Sequence, residues 1–395
     1  MKVLKVIHGF PPDYMAGSEI YSYHLVKALS KHIEKIYVFT GVENEFSKEY
    51  EVYDETYDGI EVHRINKFRR DYTYQQKFYD EQIEIDFREY LKTTKPDVVH
   101  FGHLSHLSTR LLNITAIEYQ LPIVFTVHDF WLFCVKGQLI NQNNDICSGA
   151  SAEKCHRCSP YQTTIKEVQT HLSYMQEILE FINVFLVPSH TLRNYFIQQG
   201  VSEEKLIYSK YGFNSHKITY RKRSYSTTAS INFGFMGRII PTKGIHVLIE
   251  AFNGINANLS IYGNIGSQKR FLEQKNIQFK GAYDNNNINQ VLSEIDVLIV
   301  PSIWLENSPL VIQEAFLAGI PVIASNIGGM RELVTEGVNG FLFEVANIKS
   351  LQECIIKITD NPSVLNKLSV SKQNVRSIED DSDFIHSIYK KVCTK

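Results

Sequence analysis

Residues 297–318 read VLIVPSIWLENSPLVIQEAFLA, and this stretch decides the fold. Its first four residues predict a buried parallel strand, a Pro-Ser pair ends that strand, and the apolar spacing of 310–317 predicts a helix. Glu306 therefore lies in the loop at the carboxyl edge of a strand, where open α/β sheets bind their ligands. The amides of the first helical turn face the same crevice and can bind an anion, while Glu314 lies two turns along and can reach the far end of a bound molecule. This arrangement favours an elongated anion with hydroxyls at both ends, such as a nucleotide sugar.

Outward from this stretch, strands and helices alternate through both halves of the chain, which is the pattern of parallel α/β layers. In the second half, strands are predicted at 231–236, 258–262, 277–279, 296–300 and 321–324, with helices after Lys243, Asn287, Pro309 and Ile348. In the first half, strands are predicted at 3–8, 36–40, 60–65, 97–101, 123–127 and 184–188. The polar residues 214–230 break the pattern and predict a linker between two α/β domains with a cleft between them.

Composition narrows the class of protein. With 395 residues and 44% of them apolar, the chain can bury the cores of two or three domains. The 41 basic and 43 acidic residues give a net charge of -2, which argues against a nucleic-acid-binding surface. Lys2 and Lys5 lie within the first apolar run, and no apolar run approaches the roughly 18 residues of a membrane span. We therefore expect a cytoplasmic protein without a signal peptide or a transmembrane segment.

Two cations follow the first strand of the second half. Arg238 ends the strand INFGFMGR, and Lys243 precedes the helix IHVLIEAF. Two fixed cations beside a helix N-terminus can neutralise a diphosphate and stabilise it as it departs, without a divalent metal. The alternative is a solvated loop followed by an ordinary helix cap.

In the first half of the chain, two segments that follow predicted strands also carry candidate functional residues. Gly17 and Ser18 open a helix in the turn after the first strand, where backbone amides can face a phosphate, although ordinary capping also explains them. His128 and Asp129 follow the strand IVFTV. An imidazole at that edge can hydrogen-bond a sugar hydroxyl or share charge in the transition state, and the alternative is a structural histidine.

An insertion at 131–165 carries four cysteines: Cys134, Cys147, Cys155 and Cys158. Four thiols that end in a Cys-x2-Cys pair can close a tetrahedral zinc site that staples a long loop. Unligated thiols or a disulfide are the alternatives. Because the insertion follows His128 directly, we expect it to shape the acceptor side of the cleft.

Two further patterns have both a functional and an ordinary interpretation. His100, His103 and His106 recur at every third position, and they either line the acceptor cleft or pack in the domain. Residues 67–79 mix basic and aromatic side chains, which can stack on sugars or contact a membrane peripherally. An ordinary amphipathic helix with its approach loop also explains that stretch.

Taken together, the motifs identify a family. In chain order they read AGSE, TVHD, FMGRIIPTKG, FKGAY, VPSIWLENSPLVIQEAFLAGIPVIAS and IGGMRELVTEGVNGFLF. Over nearly its whole length the chain resembles the glycosyltransferase family 4 enzymes of the GT-B fold. The resemblance implies an α/β protein with two Rossmann-like domains, 1–214 and 215–375, that face each other across a cleft. It also implies that 376–395 forms a helix packed back on the first domain.

The resemblance also assigns roles. Arg238 and Lys243 are similar to the diphosphate ligands of the family, Glu306 to the carboxylate beneath the transferred sugar, and Glu314 to the ligand of the ribose. His128 resembles a catalytic histidine. The other expected donor contacts are Gly17, Ser18, Gly281, Ala282, Asn307, Ser308, Leu310 and Val311, and the acceptor-side residues are His103 and Asp129. The chain departs from the family at Ala16, where a paired glycine is usual.

The expected reaction is the retaining transfer of a hexose from a nucleotide diphosphate sugar, with UDP-glucose as the first donor to test and no cofactor or catalytic metal. The expected acceptor is a glycan or a lipid-linked sugar in polysaccharide biosynthesis, which would place the enzyme at the inner face of the membrane. The alternatives are another GT-B reaction, such as that of a nucleotide-sugar epimerase or a phosphorylase, and a non-catalytic, zinc-stapled glycan-binding scaffold.

Overall fold

The structure is a computed structural model that describes residues 1–69, 73–159, 161–264, 276–284, 287–371 and 375–394. The chain forms two compact units. The first contains Met1–Phe213 and Arg376–Lys395, and the second contains Asn214–Val375. Each unit is built on one sheet.

The elements are numbered in chain order. The strands of the described residues are β1 (Lys2–Ile7), β2 (Lys35–Val42), β3 (Val52–Tyr57), β4 (Ile60–Asn66), β5 (Val98–Phe101), β6 (Ile123–Thr126), β7 (Val184–Val187), β8 (Leu206–Tyr208), β9 (Asn232–Met236), β10 (Asn258–Tyr262), β11 (Ile277–Gly281), β12 (Val297–Val300), β13 (Val322–Ser325) and β14 (Gly340–Phe343). The α-helices are α1 (Gly17–Leu29), α2 (Tyr74–Phe78), α3 (Glu81–Thr94), α4 (Leu111–Asn113), α5 (Ala152–Cys158), α6 (Ile165–Ile178), α7 (His190–Gln198), α8 (Ile245–Ala251), α9 (Ile288–Ser293), α10 (Leu310–Ala318), α11 (Met330–Leu333), α12 (Ile348–Asp360) and α13 (Ile378–Cys393).

The sheet of the second unit has the strand order β11-β10-β9-β12-β13-β14 in the described residues, and every pair in it is parallel. Counted from its first strand, this is the order 3-2-1-4-5-6 of a dinucleotide-binding Rossmann sheet. The order reverses between β9 and β12, so the loops that follow these two strands leave the sheet side by side. That switch point is where such sheets bind ligands.

The sheet of the first unit has the order β3-β4-β2-β1-β5-β6-β7-β8 in the described residues. All of its pairs are parallel except the edge hairpin of β3 and β4. The sequence predicted β4 but not β3. Asp58 and Gly59 close that hairpin with φ angles of 49° and 81°, the conformation of a two-residue hairpin turn. The strand order reverses between β1 and β5, so this sheet has a switch point of the same kind.

Helices pack against the apolar faces of each sheet. The central strands β1, β5, β6, β9 and β12 are buried along almost their whole length, as expected of parallel strands with helices on both faces. The helix α13 packs against α1 and β5 in the first unit.

The predicted linker 214–230 is part of the second unit instead of a free connection. The Arg223 guanidinium donates to the carbonyl oxygens of Ala318 at 3.2 Å and Leu292 at 2.9 Å. A Cβ at Gly319 would lie 2.7 Å from the Arg221 carbonyl oxygen, so the stretch runs against the end of α10. Its polar composition reflects an exposed path along the domain surface, which composition alone does not distinguish from a linker.

Candidate active site

Glu306 lies in the loop after β12, at the switch point of the second sheet, and is 6% exposed. Its Oε1 atom accepts hydrogen bonds from Lys243 Nζ at 2.5 Å, Ser302 Oγ at 2.8 Å and Trp304 Nε1 at 2.9 Å. Three donors on one oxygen, one of them a cation, fix the orientation of the carboxylate. The sequence predicted Glu306 and Lys243 separately; the structure brings them together.

Two glycines pack closely against the backbone of this loop. Gly329 donates its N–H to the Glu306 carbonyl at 2.6 Å. A Cβ at Gly329 would lie 1.5 Å from the Asn307 carbonyl oxygen, and one at Gly328, whose φ is +56°, would lie 2.7 Å from the Glu306 carbonyl oxygen. Both glycines belong to the IGGMREL motif, which therefore supports the backbone on which Glu306 is mounted.

The loop after β9 is tied to the loop after β12. Gly244 has a φ of +71°, and a Cβ there would lie 1.8 Å from the Pro301 carbonyl oxygen. Ile303 donates its N–H to the Thr242 carbonyl at 3.0 Å. These contacts explain why Lys243, between Thr242 and Gly244, reaches Glu306 across the switch point.

The two predicted cations, Lys243 and Arg238, differ in their contacts. Lys243 Nζ lies 5.8 Å from the centroid of the Trp304 ring in addition to its pair with Glu306. The Arg238 side chain is exposed and makes no hydrogen bond or ion pair with the described residues. Arg238 is therefore a cation available to an anion that arrives at this edge.

The start of α10 completes the edge. Pro309 is its N-cap and supplies no side-chain cap. Ser308 Oγ accepts a hydrogen bond from Gln313 Nε2 at 2.9 Å, and both residues are buried. The first amides of the helix, at Leu310 and Val311, have no partner within the helix, and the positive end of the helix dipole favours an anion there. The predicted contacts from Asn307 to Val311 thus lie together, and their role in binding stays a prediction.

Glu314 lies on α10 and is partly buried. Burial raises its pKa to about 7, so the carboxyl is held near its point of ionisation. Burial raises the pKa of Tyr283, and the charge of Glu314 raises it further. The predicted base contacts, Gly281 with a φ of +88° and the exposed Ala282, directly precede Tyr283.

A first acid–histidine pair occupies the switch point of the first sheet. Glu19 in α1 is 3% exposed, accepts from Ser18 Oγ at 2.8 Å and lies 2.9 Å from His8 Nε2. Burial alone would raise the pKa of Glu19, but the hydrogen bond and charge of His8 and the bond from Ser18 lower it to about 2. The hydroxyl of Ser18 is thus engaged by Glu19, and Gly17 is exposed at the helix start. The predicted contact of their backbone amides with a phosphate stays a prediction.

Sequence reasoning missed His8. It ends the first predicted strand, three residues before Pro11, and nothing in its local spacing marks it. The signal that was available is the acidic residue of AGSE, because a carboxylate buried in a first helical turn needs a partner from the neighbouring strand edge.

A second pair joins the predicted acceptor-side residues. His103 Nε2 lies 3.1 Å from Asp129 Oδ2, and its Nδ1 accepts the N–H of Ser105 at 3.1 Å. Because Nδ1 accepts, the proton is on Nε2 and is donated to Asp129. The His8 and His103 rings lie 4.7 Å apart. The sequence predicted that His103 and Asp129 lie on the acceptor side, and the structure places the two side chains in contact. Their contact with an acceptor stays a prediction.

His128 is a neutral imidazole. Burial lowers its pKa well below the usual value, and the charge of Lys5 lowers it further. Its Nδ1 lies 2.7 Å from the Tyr211 hydroxyl. A neutral ring at neutral pH can donate or accept a hydrogen bond but carries no charge to share, which favours the hydroxyl-binding interpretation of the sequence.

Of the other two histidines of the triplet, His100 packs inside the first domain and His106 is partly buried. His100 is fully buried, with Nδ1 at 2.5 Å from the Tyr389 hydroxyl and Nε2 at 2.7 Å from Thr126 Oγ1. Burial lowers the pKa of His106 to about 3. Because β5 ends at Phe101, His100 lies within the strand, whereas His103 and His106 lie in the segment that follows it.

The four insertion cysteines lie near one another without forming a metal site. Burial raises the pKa of Cys155 to about 11, and the charges of the other three thiols contribute to the shift. Within the described ranges, no group of three histidine, cysteine or acidic side chains could hold a metal ion. The geometry expected of a tetrahedral zinc site is therefore not present there, and structural zinc stays a prediction.

Three side chains of the basic and aromatic stretch 67–79 are buried. Lys67 is buried with its Nζ 2.6 Å from Asp80 Oδ2, and Tyr74 and Phe78 are buried. These side chains are therefore not available to stack on sugars or to enter a membrane surface; residues 70–72 of the stretch lie outside the described residues. In the part of the chain that the structure describes, no helix is long and apolar enough to cross a membrane.

Comparison with known proteins agrees with this geometry. The family model "Glycosyltransferase Family 4" matches residues 15–208, and "Glycosyl transferases group 1" matches residues 217–376. An uncharacterized glycosyltransferase of Methanocaldococcus jannaschii, MJ1178, is 30% identical over 159 residues, which are 38% of this chain and 43% of that protein. This match thus spans less than half of the archaeal relative.

Two further similarities extend over more of the chain. The UDP-Gal:alpha-D-GlcNAc-diphosphoundecaprenol alpha-1,3-galactosyltransferase of Escherichia coli is 26% identical over 309 residues, 73% of each protein. The crystal structure of Anabaena Alr3699/HepE in complex with UDP and glucose superposes with a TM-score of 0.68 at 18% identity and covers 99% of both chains. The second likeness shows the fold, which is GT-B.

Proposed function

Because the chain belongs to the family 4 glycosyltransferases, we propose that it transfers a hexose from a UDP-sugar to a glycan or lipid-linked acceptor, with retention of configuration. The first donor to test is UDP-glucose. The observation that carries the proposal is the switch point of the second sheet, where Lys243 and Ser302 hold Glu306 beside the start of α10. A cation, a helix N-terminus and a fixed carboxylate together suit a diphosphate with a sugar attached.

The donor base and the sugar are supported by the relatives. The structural relative was crystallised with UDP and glucose, and the relative from Escherichia coli carries UDP-Gal in its name. Glucose and galactose differ in one hydroxyl configuration, so UDP-galactose is the second donor to test. The same bacterial relative names a diphosphoundecaprenol acceptor, which supports a lipid-linked acceptor and a reaction at a membrane surface.

The geometry also suits a mechanism in which Glu306 is not a nucleophile. A retaining glycosidase attacks the sugar with a free carboxylate. The Oε1 atom of Glu306 instead accepts three hydrogen bonds, one from Lys243, which lowers its nucleophilicity and favours a role in orienting the sugar. In the proposed front-face displacement, the departing phosphate oxygen takes the proton of the acceptor hydroxyl while Lys243 and Arg238 stabilise the growing diphosphate charge.

The experiment is a thermal-shift screen against UDP, GDP, ADP and their sugars in a chelator, followed by hydrolysis assays. A nucleotide held at about 100 times its dissociation constant should stabilise the folded state by about 2.7 kcal/mol. A shift with UDP and its sugars, with slow release of the hexose in the α configuration, is the expected result. Release of the β anomer would contradict retention, and no shift with any nucleotide would contradict the donor site.

The alternatives give different products. A nucleotide-sugar epimerase would convert UDP-glucose into a different UDP-sugar or a free epimer without an acceptor. A phosphorylase would require inorganic phosphate. A binding scaffold would show the thermal shift without any turnover, so product analysis of the same reactions separates all three from sugar transfer.

A further inference from the structure

The C-terminal helix reaches the predicted catalytic histidine through buried side chains. Asp381 in α13 is fully buried. Its Oδ2 accepts the Tyr21 hydroxyl at 2.8 Å and the Gly212 N–H at 3.0 Å, and its Oδ1 lies 3.1 Å from Arg376 Nη1. A buried carboxylate with this many partners holds each of its donors in place, because any donor that left would uncover a buried charge.

The start of α13 also clamps the backbone that leads away from β8. A Cβ at Gly212 would lie 2.6 Å from Asp381 Cβ and 2.8 Å from Ile378 Cα, so the helix lies directly on this glycine. Phe213 donates its N–H to the Arg376 carbonyl at 2.9 Å and accepts the Ile378 N–H at 2.9 Å. The main chain that follows Tyr211 is therefore fixed by α13.

Two tyrosines connect this clamp to His128. The Tyr21 and Tyr211 rings lie 4.3 Å apart at an angle of 35°, and both are buried. Burial raises the pKa of both hydroxyls, so they stay protonated. Tyr211 bonds His128 Nδ1 at 2.7 Å. The opposite ring atom, Nε2, faces Gly102 at the end of β5, where an added Cβ would lie 3.3 Å away.

We propose that Asp381, Tyr21 and Tyr211 form a positioning relay, through which α13 holds the His128 imidazole in one orientation and tautomer for sugar transfer. This inference rests on the proposed function, because it assigns His128 a role in that reaction. The three residues act through His128 and are positioning residues. The partner of one ring nitrogen decides what the other nitrogen offers, and a small misplacement of a catalytic group can reduce a rate by about 100-fold.

The first test compares two buried tyrosines, each bonded to a histidine. Tyr211→Phe removes the hydroxyl on His128 and keeps the ring. Tyr389→Phe is the matched control, because Tyr389 lies on α13 and bonds His100 instead. We expect Tyr211→Phe to lower kcat by about 10- to 100-fold, with the donor KM within about twofold. Tyr389→Phe should leave kcat within about twofold even where it lowers the melting temperature. Equal losses in both variants would overturn the relay.

The second test is a double-mutant cycle. In a His128→Gln background the relay has no imidazole to orient, so Tyr211→Phe should cause no further loss of kcat. Multiplicative losses would show that Tyr211 acts independently of His128. Asp381→Asn should reproduce the kcat loss of Tyr211→Phe where it folds, and a folded Asp381→Asn variant with wild-type kcat would contradict the role of the helix.

A third readout does not need turnover. The imidazole ¹⁵N shifts of His128, assigned with His128→Gln, report its tautomer, and Tyr211→Phe should alter them while Tyr389→Phe should not. Unchanged shifts in Tyr211→Phe would overturn the relay even in an active enzyme. If the wild type turned over no nucleotide sugar, the proposed function would fail, and these shifts would still decide whether α13 orients His128.

Discussion

The two sheets have the same strand order around their switch points and carry different chemistry there. In the second sheet, the loops after β9 and β12 bring together Lys243, Glu306 and the exposed Arg238. In the first, the loops after β1 and β5 bring together the pair of His8 with Glu19 and the ring of His103. The backbone topology decides where a site forms, and the side chains of the loops decide its reaction. A cationic edge suits a diphosphate, and an edge of histidines and carboxylates suits the hydroxyls of an acceptor.

The largest effect is expected at the cationic edge. Lys243→Met removes the proposed diphosphate ligand and the donor at 2.5 Å from Glu306. We expect kcat for UDP-sugar hydrolysis to fall by about 10²- to 10³-fold, as for the loss of one preorganised charge-stabilising donor. Lys357→Met is the control, because Lys357 also lies over an aromatic ring, at 4.4 Å from that of Phe341, but away from the switch point. If Lys243→Met lowered kcat by less than about threefold, the two edges would not differ in function as proposed.

The next prediction concerns the pair of Glu19 with His8 at the switch point of the first sheet, and protein stability tests it. The folded pKa of Glu19 is lowered to about 2, so its contribution to stability is present above the unfolded pKa of about 4.3 and is lost as the pH falls toward 2. We expect Glu19→Gln to lower the free energy of unfolding by about 3 kcal/mol at pH 7. The difference should shrink at pH 3. Urea denaturation at the two pH values measures it, with the exposed Glu204→Gln as control, and a difference that grows at low pH would refute the assignment.

The pKa of Glu314 is raised, whereas that of Glu19 is lowered. Burial raises it to about 7 in the ligand-free protein, whereas the proposed ribose contact needs the ionised form. Between pH 6 and pH 8 the ionised fraction rises about tenfold, so we expect UDP to bind about tenfold more tightly at the higher pH. Glu314→Gln should abolish this dependence, and Glu353→Gln, at an exposed position on α12, should keep it. Titration calorimetry with UDP at both pH values checks the result, which a pH-independent wild-type affinity would contradict.

The same contrast explains how much the sequence could predict. The central strands and the second switch point were predictable because strands are contiguous apolar runs and because Glu306, the helix start and Glu314 lie within nine residues of sequence. The edge strand β3 was missed, since its alternation of polar and aromatic residues is weak, although Asp58-Gly59 marked the hairpin. The strand β14 was missed because it is a short apolar run without flanking periodicity.

The first switch point was harder to predict, because it is assembled from separate segments. The contacts of His8 with Glu19 and of His103 with Asp129 join loops that follow different strands. Tyr211 reaches His128 across 83 positions of sequence, and no local pattern encodes such a pair. Gly329 likewise supports Glu306 only in the folded sheet.

The smallest effect is expected in the cysteine insertion of the first domain. The described cysteine, histidine and acidic side chains form no group of three that could hold a metal ion, and in the metal-free protein burial and the neighbouring thiol charges raise the pKa of Cys155 to about 11. We therefore expect protein purified without chelator to carry far less than one zinc per chain. Cys155→Ser should change kcat by less than about threefold, as should the control Cys354→Ser, which lies outside the insertion. Elemental analysis decides the point: one zinc per chain, lost in Cys155→Ser but kept in Cys354→Ser, would confirm the zinc prediction. The insertion after β6 would then be held by a metal, and the two domains would differ in how their loops are held as well as in the charge at their switch points.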